Sequence, residues 1–245
     1  AIRNEDRFFM VDAGGGNGIL QILDKMNVQY SQIHDLFVTH EHTDHLLGVV
    51  WMVRFIATRM LNGTYDGDLN IYCHDQLTST IDTFCRLTLQ GKFYRLIGDR
   101  IHLIPVHDGE TLSIMDYEVT FFDIHSTKAR QFGFTTTLKN GKKLTCVGDE
   151  PYNPICAPYV EGSDWLLHEA FCLYEERDRF KPYEKHHSTV KDAAELAESL
   201  HIPNLVLWHT EDKSVGKRKE LYMTEGKTYY HGNLYVPEDR DIIAL

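Results

Sequence analysis

The sequence predicts an α/β protein, because short apolar β runs interleave with stretches of helical periodicity from one end to the other. Two further observations support that class. No low-complexity linker and no repeat of solenoid period interrupts the pattern. The chain's 245 residues, 42% hydrophobic and 25% charged, are enough to bury one sizeable core. These values exclude a disordered chain and a disulfide-stapled mini-protein. The longest apolar stretch, residues 46–56, is broken by Arg54, so no membrane span is expected.

The elements follow in order. Residues 8–12, Phe-Phe-Met-Val-Asp, read as a buried strand that stops at Ala13-Gly14-Gly15-Gly16, where glycines permit a sharp turn. Residues 19–26 have helical spacing. Residues 36–39 are a second short β run, followed at once by a histidine cluster, and residues 46–61 form a helix. A strand at 69–73, a helix at 76–91 and strands at 101–105, 111–115 and 117–124 come next. Strands at 134–138 and 143–147 flank Lys139-Asn140-Gly141-Lys142, whose Asn-Gly is a strong hairpin signal. Residues 165–168 are a strand, and 189–200 an amphipathic helix capped by Ser188 or Thr189. Residues 205–208 form the last clear buried strand.

Lys plus Arg is 25 and Asp plus Glu is 36, a net charge of −11. That balance argues against a protein that coats nucleic acid by bulk charge and suits one that holds divalent cations. The five cysteines, Cys73, Cys85, Cys146, Cys156 and Cys172, are odd in number and form no Cys-x-x-Cys pair. They read as reduced, mostly buried thiols of a cytoplasmic protein. Fourteen histidines stand out, since imidazole is the commonest metal ligand and proton shuttle.

His40-Glu41-His42-Thr43-Asp44-His45 is the decisive segment. Four potential ligands fall in six residues, between an apolar strand and a helix. An extended chain alternates its faces, so His40 and His42 can address one metal. Asp44 and His45, at the turn into the helix, can address a second about 3.5–4 Å away.

His-x-His-x-Asp-His after a strand resembles the metallo-β-lactamase superfamily, as does Val11-Asp12-Ala13-Gly14 upstream. Three further motifs follow in that family's order: His125-Ser126, Gly148-Asp149 and Trp208-His209-Thr210. The resemblance implies a single four-layer αβ/βα sandwich with metals where strand-end loops meet. By the same resemblance His40, His42 and His125 hold one cation and Asp44, His45 and His209 the other, with Asp149 bridging. Zn is the expected ion and Mn or Fe an alternative, since the set offers no thiolate.

Within the superfamily the ribonuclease Z branch fits best. His187-Ser188-Thr189 before an Ala-rich helix resembles its His-Ser-Thr loop. His168-Glu169-Ala170-Phe171 resembles its His-Glu-Ala-Thr loop, with Phe171 in place of Thr, and Gly133-Phe134 resembles its Gly-Tyr. Asp44 then orients the attacking water, and His187, positioned by Glu169, protonates the leaving oxygen. His186 competes with His187 for that role.

The departures are as specific. Only 23 residues separate His125 from Asp149, which leaves room for a hairpin but not for the long tRNA-gripping arm of ribonuclease Z. The chain opens at Ala1-Ile2-Arg3, and the family's first strand with its usual Gly-Thr-Gly is not found, so an N-terminal segment is expected to be missing. The expected function is a binuclear metal-dependent hydrolase of small phosphodiesters or nucleic acid. Thioester or lactone hydrolysis is the alternative on the same scaffold, and a metal-binding module without catalysis a third reading. A homodimer is implied by the resemblance alone. The basic run Lys213, Lys217, Arg218 and Lys219 reads as a solvated face, and Gly14-Gly15-Gly16-Asn17-Gly18 as a tight turn, since it lacks dinucleotide-fingerprint spacing.

Overall fold

A computed structural model describes residues 1–214 and 216–245, which form two compact units, residues 1–116 and 117–245. Each unit contains a mixed sheet with helices packed on it, which is the α/β class expected from the alternating pattern.

The first unit runs β1 (Ile2–Asn4), β2 (Arg7–Val11), α1 (Gly18–Lys25), β3 (Ile33–Phe37), α2 (Thr43–Leu61), β4 (Leu69–His74), α3 (Asp75–Thr88), α4 (Gly91–Tyr94), β5 (Ile101–Val106) and β6 (Thr111–Ile114). Its five-stranded sheet has the order β1-β2-β3-β4-β5. The first pair is antiparallel and the remaining three are parallel, as the helical crossovers between them require. Helix α2 buries Leu46, Val49, Met52, Val53, Ile56, Ala57 and Met60, an i, i+3, i+4, i+7 stripe that packs with Met10, Leu36, Ile71 and Cys73 of the strands. Each of the Leu, Val, Ile and Met side chains contributes about 2 kcal/mol on burial, and Ala57 less. Gly48 lies on this helix where the Ala13–Gly14 turn crosses it. Its N–H donates to the Gly14 carbonyl at 2.8 Å, and a Cβ there would sit 1.8 Å from the Ala13 oxygen. The turn after β2 is thereby held against the start of α2.

The second unit runs β7 (Tyr117–Asp123), β8 (Phe132–Thr137), β9 (Lys143–Cys146), α5 (Ala157–Val160), β10 (Trp165–Glu169), α6 (Arg177–Phe180), α7 (Val190–Ser199), β11 (Asn204–Trp208), α8 (Arg218–Tyr229) and β12 (Asn233–Tyr235). Its strands follow the order β12-β11-β10-β9-β8-β7. The four from β12 to β9 are parallel and the last two pairings antiparallel. The Asn-Gly signal marks the β8–β9 hairpin, where Gly141 adopts φ +81° and Lys142 N–H donates to Asn140 Oδ1 at 3.1 Å. That hairpin and its flanking loops use up the interval between His125 and Asp149, which holds no longer inserted arm. Helix α7 buries Val190, Ala193, Ala194 and Ala197, and starts from a capping box in which Asp192 Oδ2 accepts the Thr189 N–H at 2.8 Å.

Several elements escaped the sequence reading: β1, α4, α5, α6, α8 and β12. Part of the basic run, Arg218 and Lys219, opens α8, where only Tyr222 and Gly226 are buried. All five cysteines are buried free thiols, and burial pushes those of Cys85 and Cys172 up to about 12. Among the described residues, no helix is long and apolar enough to cross a membrane.

Candidate metal centre and proton-handling loop

In the first unit, β3 delivers the chain into the histidine cluster and α2 takes it away. His42 is the N-cap of α2, and Asp44 lies in its first turn, where the partial positive charge of the helix end favours a carboxylate. Nε2 of His40 lies 2.8 Å from Nδ1 of His42. The His40 ring centre is 4.4 Å from that of His42 and 4.1 Å from that of His45. Asp44 Oδ2 lies 3.4 Å from Nε2 of His45. The expected quartet His40, His42, Asp44 and His45 is therefore gathered at one helix start.

Asp12, read from sequence only as part of the first strand-turn motif, supports this cluster. It adopts left-handed backbone with φ 55° and is buried. Its Oδ2 accepts from Nδ1 of His45 at 2.7 Å, and its Oδ1 accepts the Thr39 N–H at 2.8 Å. Holding the hydrogen at Nδ1 leaves Nε2 of His45, the atom facing Asp44, as the nitrogen able to bind a metal. His40 is held on its own Nδ1 by the Thr39 hydroxyl at 3.0 Å.

In the second unit, Asp149 and His209 follow β9 and β11, and His209 Nε2 lies 3.5 Å from Asp149 Oδ2. His209, like His125 and His186, takes left-handed backbone, with φ values of 52°, 58° and 54°. His125 is exposed at the end of β7, its N–H bonded to Asp123 Oδ1 at 2.7 Å, and it joins no three-donor group among the described residues. Glu169, His187 and His209 do gather, with their donor atoms within 4.8 Å of one another.

The loop at His187 is built differently from the expectation in one respect. Its Nδ1–H donates to the Asp149 carbonyl at 2.9 Å, while Glu169 Oε2 stays at 3.7 Å. Glu169, fully buried, accepts the Ser188 N–H instead, so it secures the loop backbone beside the ring. Phe171 stacks on the His187 ring at 4.9 Å with 16° between planes. Burial, with the nearby Lys128 ammonium and His209, lowers the His187 pKa to about 4, whereas burial raises that of Glu169. His168 is also buried and lowered to about 4, and it bonds its own chain through Nδ1 to the Glu169 carbonyl at 2.6 Å.

The donors fit divalent metal ions. They are imidazole nitrogens and carboxylates with no cysteine among them, a borderline-hard set that suits Zn, Mn or Fe. Two imidazoles whose ring centres lie within 4.4 Å of that of His40, beside the Asp44 carboxylate, give the crowding expected of ligands around a cation.

The chain is similar to known proteins in sequence and in fold. Ribonuclease Z of Parabacteroides distasonis is 23% identical, over 83% of this chain and 79% of its own length. The metallo-β-lactamase fold protein YhfI of Bacillus subtilis matches 97% of this chain and 87% of its own at a TM-score of 0.76 and 18% identity. The short form of human tRNase Z matches 99% and 90% at 0.73 and 21%. Residues 7–210 match the family described as the Beta-lactamase superfamily domain, and the chain belongs to that superfamily.

Proposed function

We propose that the protein is a metal-dependent hydrolase of phosphodiester bonds, a single domain in which His40, His42, Asp44, His45, His125, Asp149 and His209 hold two divalent cations. The observation that carries the reading is the His40–His42–His45 imidazole cluster with Asp44 at the head of α2. The ribonuclease Z relatives support phosphodiesters over thioesters or lactones. Bound cations would lower the pKa of a water molecule and offset charge on the phosphoryl group.

The chain's own groups supply the remainder. Asp44, whose side chain is 60% exposed, is accessible to orient an attacking water. His187 has its Nδ1 hydrogen committed to Asp149, so Nε2 is the atom that gains a proton and passes it to the leaving oxygen. Its low pKa keeps Nε2 unprotonated in the resting protein, and an anionic substrate would raise it. With no arm to grip a tRNA body, small diesters and short nucleic acids are the better substrates.

The test is turnover of zinc- and manganese-loaded protein on bis-p-nitrophenyl phosphate, a cyclic nucleotide, a pre-tRNA and a thioester, with metal content measured alongside. Hydrolysis of the diesters well above the thioester is expected. A thioester preference would overturn the reading, and pre-tRNA cleavage as fast as that of small diesters would overturn the substrate size. The homodimer implied by resemblance is checked by light scattering.

A further inference from the structure

Lys128 lies in the loop between β7 and β8, with its side chain only 22% exposed. The loop is anchored on both sides of it. The Ser126 hydroxyl donates to Glu150 Oε1 at 2.6 Å, the Thr127 N–H donates to Glu150 Oε2 at 3.4 Å, and the Thr127 hydroxyl bonds His186 Nδ1 at 2.9 Å. Glu150 is buried, and Lys128 Nζ lies 3.8 Å from its Oε1, a loose ion pair beyond hydrogen-bond reach. The ammonium points instead at Nε2 of His187, 3.5 Å away.

This arrangement leaves the ammonium with donor capacity toward a further acceptor. An ammonium carries three donors, and here it meets one long contact to an imidazole nitrogen and one loose ion pair. The His187 ring cannot turn toward the ammonium for a better bond, because Nδ1 is tied to the Asp149 carbonyl and Phe171 is stacked on the ring. A fixed positive charge beside the proton-handling nitrogen marks where negative charge on the departing group would sit.

We propose that Lys128 selects substrates by taking an oxygen of a second phosphate, carried on the group that leaves at His187. The preferred substrates are then phosphodiesters bearing an additional phosphate, as in a phosphorylated dinucleotide, over isolated diesters. The assignment rests on the phosphodiesterase reading above. Lysine suits the task, being a compact point charge that donates to a phosphate oxygen in many orientations.

The experiment uses metal-loaded protein and the dinucleotides UpU, pUpU and UpUp, with bis-p-nitrophenyl phosphate as reporter. kcat/KM is measured for each, together with inhibition of reporter hydrolysis by each, so that binding is read whether or not a dinucleotide is cut. Wild-type protein should favour one phosphorylated dinucleotide over UpU by roughly tenfold or more, the range of a charge-assisted phosphate contact. Lys128→Met should lose that ratio, and Lys128→Arg should keep most of it. Lys185→Met removes an exposed charge over the Phe171 ring and should keep the ratio, which separates a specific contact from bulk charge. Equal treatment of the three dinucleotides by wild type, or an unchanged ratio in Lys128→Met, overturns the assignment of Lys128 alone. Failure of metal-loaded wild type to hydrolyse any diester overturns the phosphodiesterase reading and this assignment with it.

Discussion

Replacing Asp12 by Asn should weaken metal binding without unfolding the protein. The substitution keeps the side chain's size, and Asn tolerates the left-handed backbone at φ 55° as well as Asp does. The amide oxygen can still accept the Thr39 N–H, now bonded to Oδ1 at 2.8 Å. The amide nitrogen then replaces Oδ2, which accepts from His45 Nδ1 at 2.7 Å. Two donors would face each other unless the imidazole moves its hydrogen to Nε2, the nitrogen turned toward Asp44. A metal must then displace that proton before His45 can bind. Losing a hydrogen bond to a charged partner costs about 1.5–3 kcal/mol. Removing the partner that orients a ligating imidazole weakens metal binding about 10–100-fold, or about 1.4–2.7 kcal/mol. The two ranges agree. The assay is competition for zinc against a chromophoric chelator, with thermal melting of the metal-free proteins as the control for folding. Zinc affinity within twofold of wild type, with an unchanged metal-free melt, would refute the argument that Asp12 sets the tautomer of His45.

Three other outcomes follow from the same geometry. His187→Ala should retain its metals yet lower turnover roughly 10²–10⁴-fold on substrates with poor leaving groups and less with p-nitrophenolate, which needs no protonation; metal analysis and kcat for both classes decide. Acid should destabilise the fold through His168 and His187, because their pKa values fall from 6.5 to about 4 on folding. The unfolded chain binds those protons first, so stability is full above pH 6.5 and declines toward pH 4; thermal melts across that window should be flatter in His168→Gln. Gly48→Ala should cost about 3 kcal/mol in urea denaturation, since its methyl would meet the Ala13 carbonyl at 1.8 Å and neither backbone can yield.

What the sequence revealed was local, and what it hid was long-range. Four donors in six residues after an apolar run are legible at sight as a candidate metal turn. Helix α2 was expected from Leu46 because the apolar stripe begins there, yet it starts at Thr43, since polar residues supply its cap and first turn. Helix α8 has almost no amphipathic pattern, with two buried residues in twelve, and so reads as solvated charge. β12 is three residues long, too short for alternation to show. Asp12 and His45 are 33 positions apart, and Lys128 and His187 are 59 apart. Such pairings leave no trace in spacing, because strand order, rather than sequence distance, brings them together. Glu169 was legible as a site-loop residue, but its bond to the Ser188 backbone in preference to the His187 ring depends on how two loops cross.

Three histidines of these loops, His125, His186 and His209, hold left-handed backbone that a residue with a Cβ enters at a cost of about 1 kcal/mol each. The protein therefore spends thermal robustness on the shape of its working turns. An engineer seeking the most heat-resistant form of this scaffold would place glycine at those three positions and obtain a sturdier, inert shell. The natural chain keeps the less comfortable residues, so its melting temperature and its chemistry are tied to the same few peptide units.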